Sequence, residues 1–174
     1  MPNLAKFIPI DSGERNVVRD AWDRLHKVPG GRWAFSQLVG RLAPYTGTIG
    51  ASVEHVAAGK SRVVLKDRPA VRNHLRCVHA IALVNLAELA GNVALAYSMP
   101  DDARFIVAGL SIEYHHKARG NITARCDGPL VETSERREYD VPVHMFDPNG
   151  KKVATATLKT LVGPKPASKK TRAL

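Results

Sequence analysis

The stretch from residue 78 to residue 98, VHAIALVNLAELAGNVALAYS, is the feature that most limits how this chain can fold. Its apolar residues cover nearly the whole circumference of a helix, so the sequence predicts a helix that is buried on almost every side. Asn85, Glu88 and Asn92 interrupt the apolar surface, and their spacing of three and four residues places them along one stripe. The rest of the chain must therefore surround this one helix.

Strand-like segments lie on both sides of the helix. Before it, TIGASVEHVA and KSRVVLKDR are separated by Ala58-Gly59, which predicts a hairpin. Four more segments follow it: RFIVAGLSIEYHH, GNITARC, REYDVPVHMF and KKVATATLKTLV. The last two are joined by the turn sequence DPNG at 147–150, and alternation in the first predicts one shared face for Ile106, Ala108, Leu110, Ile112 and Tyr114. The connections are too short for crossovers, so we expect an antiparallel sheet wrapped around the helix. The uncovered face and edges of such a sheet predict self-association.

Two shorter helices are predicted near the start of the chain. One begins at Gly13, capped by Asp11 or Ser12, and its apolar face consists of Val17, Val18, Trp22 and Leu25. The other, RWAFSQLVGRL, ends before Pro44 and groups Trp33, Leu38, Val39 and Leu42. These helices predict an N-terminal layer packed against the main body. The expected organisation is a helical extension over residues 1–45, one α+β domain over 46–163 and a basic disordered tail over 164–174.

The formal charge of +10 favours polyanionic partners, of which nucleic acid and coenzyme A are two. Only 6% of the residues are aromatic, which offers few platforms for stacking bases, and no nucleic-acid-binding motif is present. We therefore expect neither nucleic acid nor a membrane as a partner. The first residues have no secretory pattern, so we expect a cytoplasmic protein.

The sequence offers no clear metal or cofactor site. Its two cysteines, Cys77 and Cys126, form no CxxC pair and are expected to be reduced and structural. His115 and His116 are adjacent, so on a strand they would point to opposite faces rather than share an ion. We expect no metal and no cofactor.

Glu88 is the most informative residue because a carboxylate on a buried helix is costly unless it is paired, placed at an interface or used. A salt bridge or a subunit contact explains it as well as chemistry does. Two more polar residues lie at the helix entrance, Asn73 in the preceding loop and His79 at the first turn. Helix-start amides carry the positive end of the dipole, so His79 and the amide of Ala80 are candidate donors to a carbonyl oxygen that gains negative charge. His79 as a helix cap and Asn73 as a turn residue are the alternatives.

The run Asn73-x5-His79-x8-Glu88, within NHLRCVHAIALVNLAELAG, resembles the motif of the phenylacetate-type hotdog thioesterases, which has an Asn six residues before a His-Gly-Gly and an acid nine after that His. The segments SIEYHHKARGNITARC and MFDPNGKKVATATLKTLV also resemble that family's strands and last hairpin. PYTGTIGASVEHVAAGKSRVVL resembles an uncharacterised branch of the superfamily that has Glu in place of Asp. The resemblance covers roughly residues 44 to 163 and implies a hotdog fold.

The resemblance also implies a function, which is hydrolysis of an acyl thioester carried by coenzyme A or by an acyl-carrier protein. Glu88 would be the general base or the nucleophile, Asn73 would help place the water, and the Ala80 amide would form the oxyanion hole with His79 beside it. Ala80, Ile81 and Asn85 would contact the substrate. The family assembles this site across a dimer, so a homodimer or homotetramer is expected.

The sequence departs from the motif at the paired glycines, which are Ala80 and Ile81 here. A backbone with side chains cannot approach a ligand as closely, and Ile81 narrows the expected pocket. Where some relatives have Ser or Thr on the next strand, this chain has Ile106. The alternative function is a non-catalytic acyl-CoA-binding protein with the same fold. Acyl length and pathway are not determined by the sequence.

Overall fold

The computed structural model describes residues 15–166. Four helices and six strands follow one another in an order that matches the predicted two strands, long helix and four strands. They are α1 Val17–Leu25, α2 Gly31–Leu42, α3 Pro44–Gly47, β1 Ser52–Ala57, β2 Lys60–Leu65, α4 Ala80–Ser98, β3 Ala103–Tyr114, β4 Ile122–Asp127, β5 Arg137–Phe146 and β6 Lys152–Pro164. A 3-10 turn at Pro69–Val71 lies between β2 and α4.

The strands form one antiparallel sheet, as predicted, and their order in it is β1-β2-β4-β5-β6-β3. Both predicted hairpins are present. Gly59 turns between β1 and β2 with a φ of +68°, and a turn closed by the Gly150 amide and the Asp147 carbonyl joins β5 to β6. β1 and β3 are the two edges of the sheet.

The inner face of the sheet packs around α4, which explains the apolar circumference of that helix. Leu86, Ala87, Ala90 and Ala94 are completely shielded from solvent. α4 is also long and apolar enough to cross a membrane, but 67% of its most apolar stretch is buried inside the protein. The helix and the sheet approach closely at Gly91, where an added Cβ would lie 3.1 Å from the Leu158 side chain.

The N-terminal layer packs on α4 as predicted, but α1 begins later than the sequence indicated. Its N-cap is Asn16, whose Oδ1 accepts from the Arg19 amide at 3.0 Å, so the predicted start at Gly13 is wrong. The proposed caps Asp11 and Ser12 lie outside the described residues. Asn16 is buried because its Nδ2 also donates to the carbonyls of Ala96 and Met99, 2.6 and 2.9 Å away, at the end of α4. One side chain therefore caps α1 and attaches it to the core helix.

The buried face of α2 also differs from the prediction. Phe35 is 1% exposed and meets Trp22 edge to face, with ring centroids 5.0 Å apart. Trp33, which the sequence grouped with the apolar face, is 66% exposed. Side chains two residues apart on a helix point in directions that differ by about 200°, so burying Phe35 turns Trp33 outward.

The predicted face of β3 is divided by an irregularity. The pairing register of β3 with β6 shifts between Val107 and Gly109, which reverses the alternation along the strand. Leu110 and Ile112 therefore face α4 and are half-buried, whereas Ile106 is 65% exposed on the outer face. A bulge of this kind leaves no mark in an alternating sequence.

The expected boundaries at residues 45 and 163 stay a prediction. β6 continues to Pro164, and the Lys165 ammonium donates to the carbonyls of Arg15 and Asp101. Residues 167–174, which make up most of the predicted basic tail, lie outside the described part of the chain.

Candidate active site

His79 is the N-cap of α4, and its exposed ring is held in one orientation. Its Nδ1 accepts a hydrogen bond from the Ile81 amide at 3.0 Å. A neutral imidazole has one donor and one acceptor nitrogen, so this contact places the proton on Nε2 and leaves it available as a donor. The cap satisfies one helix-start amide, and the amide of Ala80 is another that has no acceptor within the helix. The predicted His79 and Ala80 donors therefore lie together at the positive end of α4.

Asn73 lies in the loop before α4, where its side chain holds the loop in shape. Its Oδ1 accepts from the amides of Leu75 and Cys77 at 3.0 and 3.3 Å and from the Cys77 thiol at 3.3 Å. The loop is also fixed at its end, since the His79 amide donates to the Val71 carbonyl at 2.8 Å. In this arrangement Asn73 Oδ1 is committed to the loop, and its Nδ2 is the group that remains to contact a water or a substrate.

A groove of about 240 Å³ opens beside the α4 entrance. Its walls include Tyr45, Val71, Arg72, His79, Ile81 and Asn85. Asn85 is 4% exposed, and its Nδ2 donates to the Tyr45 carbonyl at 3.2 Å. Its Oδ1 is buried without a hydrogen-bond partner among residues 15–166. Ile81 is 53% exposed at the mouth. Three of the predicted site residues therefore share one groove.

Glu88 lies about two and a half turns along α4 from His79 and does not join His79 and Ile81 within one chain. Nine residues at 1.5 Å per residue separate it from His79, which is about 13.5 Å along the helix axis. The carboxylate is half-buried, and it makes no ion pair with any described residue. Asn92, one turn beyond, also has a buried Oδ1 without a hydrogen-bond partner in the described range. The predicted stripe is therefore a polar strip on α4 whose oxygens at Asn85 and Asn92 have no hydrogen-bond partner among the described residues.

Tyr114 connects the end of β3 to the α4 entrance. Its hydroxyl donates to the Ala80 carbonyl at 3.2 Å, and its ring is 47% exposed. Burial raises the pKa of this hydroxyl, which keeps it protonated as a donor at neutral pH. Tyr114 thereby fixes the residue whose amide is the candidate oxyanion donor.

The carboxylate of Asp67 fixes the segment before α4 to the turn before β4, and an ion pair with Arg72 in its own segment holds it in place. Arg72 Nε and Asp67 Oδ1 are 2.7 Å apart, and the Gly120 amide donates to Asp67 Oδ2 at 2.9 Å. The hydrogen bond from Arg72 is the largest effect on the pKa of Asp67, which it holds below the usual value against the opposing effect of burial. The carboxylate therefore stays charged and keeps the two segments together at neutral pH.

The described residues contain no group of three or more His, Cys, Asp or Glu side chains that could hold a metal ion. Cys77 and Cys126 are free and buried, as expected. Burial raises the pKa of the Cys126 thiol to about 12, so this thiol is not a nucleophile at neutral pH. The chemistry available at the α4 entrance within one subunit is that of backbone amides and of imidazole, side-chain amide, hydroxyl and guanidinium groups.

Several residues near the site were not predicted from the sequence. Tyr45 and Arg72 reach the groove only through the packing of α3 and the loop before α4, and no local pattern marked them. Tyr114 was predicted only as a strand residue. Asn92 was predicted as part of the polar stripe of Glu88 but not as a site residue.

The chain matches the family model described as a domain of unknown function, DUF4442, over residues 31–162. Among solved structures it is similar to the structural-genomics protein APC5556, with 31% identity, a TM-score of 0.74 and coverage of 84% of this chain and 98% of that one. It also resembles the thioesterase HI1161 from Haemophilus influenzae, with 14% identity, a TM-score of 0.68 and coverage of 83% and 99%. The PaaI protein of the E. coli phenylacetic acid degradation operon is 14% identical, with a TM-score of 0.59 and coverage of 75% and 91%.

No curated protein matches the chain at a significant level. The structural neighbours confirm the predicted hotdog fold, in which an antiparallel sheet wraps around a central helix. Since the family model spans well over half of the sequence, this chain is a member of the DUF4442 family.

Proposed function

We propose that this protein hydrolyses acyl thioesters at a site formed by the α4 entrance of one subunit and Glu88 of a second subunit. Proteins named thioesterases share its fold. The chemical support comes from the arrangement around His79 and Ala80, which suits a thioester carbonyl whose oxygen becomes negatively charged in the transition state.

The amide of Ala80 and the Nε2 proton of His79 are the proposed oxyanion donors. Both lie at the start of α4, where the helix dipole favours negative charge. The Ile81–His79 and Tyr114–Ala80 hydrogen bonds hold the two donors before substrate arrives. Removing one such donor typically costs about 2.7–4 kcal/mol of transition-state stabilisation.

Glu88 is the proposed general base, with the nucleophile as its alternative role. Because it lies about 13.5 Å along α4 from His79, it cannot reach a carbonyl bound at the entrance of its own subunit. A two-fold related copy can place Glu88 of each subunit against the entrance of the other.

The surface around the entrance supports such a partner. Four large apolar side chains there are exposed by 47–70%: Tyr45, Leu75, Ile81 and Tyr114. β3, which pairs with β6 on one side, is an edge strand of the sheet and ends at the same place. Apolar patches and open strand edges favour association, and a second copy would cover both. A homodimer, alone or within a tetramer, is therefore part of the proposal.

The observation that carries the proposal is that the Glu88 carboxylate is partly buried without an ion-pair partner among the described residues. It is half-buried on a helix that is mostly buried, and no described cation neutralises it. The described residues therefore offer no ion pair that would make the carboxylate structural within the subunit, and a general base must remain unpaired to accept a proton.

A mixing experiment tests the proposal. We expect Glu88→Gln and His79→Ala each to abolish octanoyl-CoA hydrolysis. After the two inactive variants are mixed in equal amounts and allowed to exchange subunits, half of the dimers pair one variant with the other, and each mixed dimer has one intact site. Activity should then recover to about a quarter of the wild-type value.

Full activity of the Glu88→Gln variant would refute the assignment of the base. Failure of the exchanged mixture to recover, with mixed dimers demonstrated by mass spectrometry, would refute the site between subunits.

One observation favours the alternative of a non-catalytic acyl-CoA-binding protein. Ile81 replaces a glycine of the motif and stands exposed at the mouth of the groove, where it restricts the approach of a thioester to the Ala80 amide. That function predicts a rise in melting temperature with acyl-CoA and no turnover. An Ile81→Gly variant that gains hydrolysis would show that the side chain limits catalysis.

A further inference from the structure

Cations surround the α4 entrance. Two segments, residues 66–79 and 115–121, contain six Lys or Arg residues and a single acid, Asp67. Their net charge of +5 is half of the +10 of the whole chain. We call these six cations the basic rim: Lys66, Arg68, Arg72, Arg76, Lys117 and Arg119.

The two segments form one fixed surface. The Val78 amide donates to the Ala118 carbonyl at 2.8 Å. Asp67 contributes two further bonds, accepting from the Gly120 amide at 2.9 Å and donating its own amide to Asn121 Oδ1 at 3.1 Å. The cations are therefore held around the entrance by the loop structure rather than gathered by chance in a flexible segment.

The shape of the rim indicates what kind of anion it suits. Arg76, Lys117 and Arg119 are exposed on the outside of their loops. Of the six cations only Arg72 lines the groove beside His79, and it is already paired with Asp67. A small polyanion is usually bound in a cleft that covers most of its surface. Cations spread over the outside of two loops instead complement the acidic surface of another protein, which they attract and orient.

We propose that the basic rim docks an acidic carrier protein that presents its acyl thioester to the α4 entrance, so that the preferred substrate class is a protein-bound thioester, while a free acyl-CoA is hydrolysed without help from the rim. This inference rests on the proposed function and names its substrate. Docking would place the thioester arm of the carrier at the groove between Ile81 and His79, while the rim contacts the body of the carrier.

Binding without turnover tests the rim directly. The probe is a bacterial acyl carrier protein that bears an octanoyl group through a non-hydrolysable amide. The test variant reverses two rim charges, Lys117→Glu with Arg119→Glu. The control reverses two charges at the opposite end of the sheet, Arg104→Glu with Arg136→Glu, which line a separate groove. Arg104 lies ten strand residues from Tyr114, which is about 33 Å from the entrance.

We expect the rim variant to bind the probe at least about tenfold more weakly than wild type and the control variant to bind within about twofold of it. Wild-type affinity should fall steeply as salt is raised from about 50 to 300 mM, because exposed charges are screened. No measurable binding by wild type, or equal weakening by the two variants, would overturn the proposal.

Hydrolysis of three substrates with the same acyl group separates this inference from the proposed function. They are octanoyl carrier protein, octanoyl-CoA and the uncharged octanoyl-N-acetylcysteamine. The rim variant should lower kcat/KM for the carrier protein alone. An equal loss of kcat/KM for octanoyl-CoA would show that the rim binds the nucleotide part of coenzyme A, and it would overturn the carrier proposal. Absence of hydrolysis of all three by wild type would refute the proposed function, and the binding measurement would still decide the role of the rim.

Discussion

Replacing Glu88 with Gln separates a catalytic carboxylate from a structural one, because the two roles predict opposite changes in stability. The substitution keeps the shape of the side chain and removes its charge. Glu88 is half-buried and has no ion-pair partner among the described residues. Glu88→Gln therefore removes no ion pair with residues 15–166, and it removes the cost of holding a charge away from water.

The size of the expected change in the free energy of unfolding follows from how far the Glu88 carboxylate is buried. Complete desolvation of an unpaired carboxylate costs several kcal/mol after relaxation, and half-burial leaves a cost of about 1 kcal/mol. We therefore expect Glu88→Gln to raise the free energy of unfolding by up to about 1 kcal/mol. For a chain of this size that corresponds to about 2–4 °C in Tm. Hydrolysis should fall by about 10²–10⁴-fold, the usual contribution of a general base.

Urea unfolding followed by circular dichroism gives the stability, and octanoyl-CoA hydrolysis gives the activity. The matched control is Glu138→Gln, which removes a 54% exposed carboxylate 3.9 Å from Lys159 on the outer face of the sheet. This control should leave both quantities nearly unchanged. If Glu88→Gln lowers the free energy of unfolding by more than about 1 kcal/mol and hydrolyses octanoyl-CoA at the wild-type rate, the catalytic interpretation is refuted and Glu88 is assigned to a structural contact.

Three further predictions concern the scaffold. Asn16→Ala removes the cap of α1 and both bonds to the end of α4, so we expect a loss of about 2–4 kcal/mol by urea unfolding. Gly59→Ala places a side chain at a φ of +68° with its Cβ 2.6 Å from the Gly128 carbonyl oxygen, which should lower Tm by several degrees in a thermal scan. Asp67→Asn should destabilise the protein at neutral pH. The pKa of Asp67 is lower in the folded protein than in the unfolded chain, so its carboxylate contributes fully to the free energy of unfolding above about pH 4. That contribution disappears as the pH falls through the lowered folded pKa. The difference in free energy of unfolding between wild type and Asp67→Asn should therefore shrink in acid.

The sequence was informative wherever a pattern was local and strong. The apolar circumference of residues 78–98 required a buried helix, and a buried helix required strands on most of its sides. Turn residues at Gly59 and at 147–150 determined both hairpins. Together these features were sufficient to predict the order of the elements and the antiparallel sheet.

Predictions failed where the position of an element depended on a distant contact. Asn16 replaced the expected cap because it also bonds to carbonyls some 80 residues away. Trp33 turned outward because Phe35 is the ring that meets Trp22. The irregularity in β3 depends on its pairing with β6, which no alternation within β3 alone can indicate.

The candidate site divides in the same way. Sequence spacing alone placed His79 at the start of α4 and Glu88 nine residues later, because both positions follow from the geometry of one helix. Only the tertiary structure decided which groups meet at the entrance, since Tyr45, Tyr114 and the ion pair of Arg72 with Asp67 come from separate parts of the chain. It also determined that Glu88 has no ion-pair partner among residues 15–166, because burial and pairing depend on every element packed around a helix and not on the sequence of that helix.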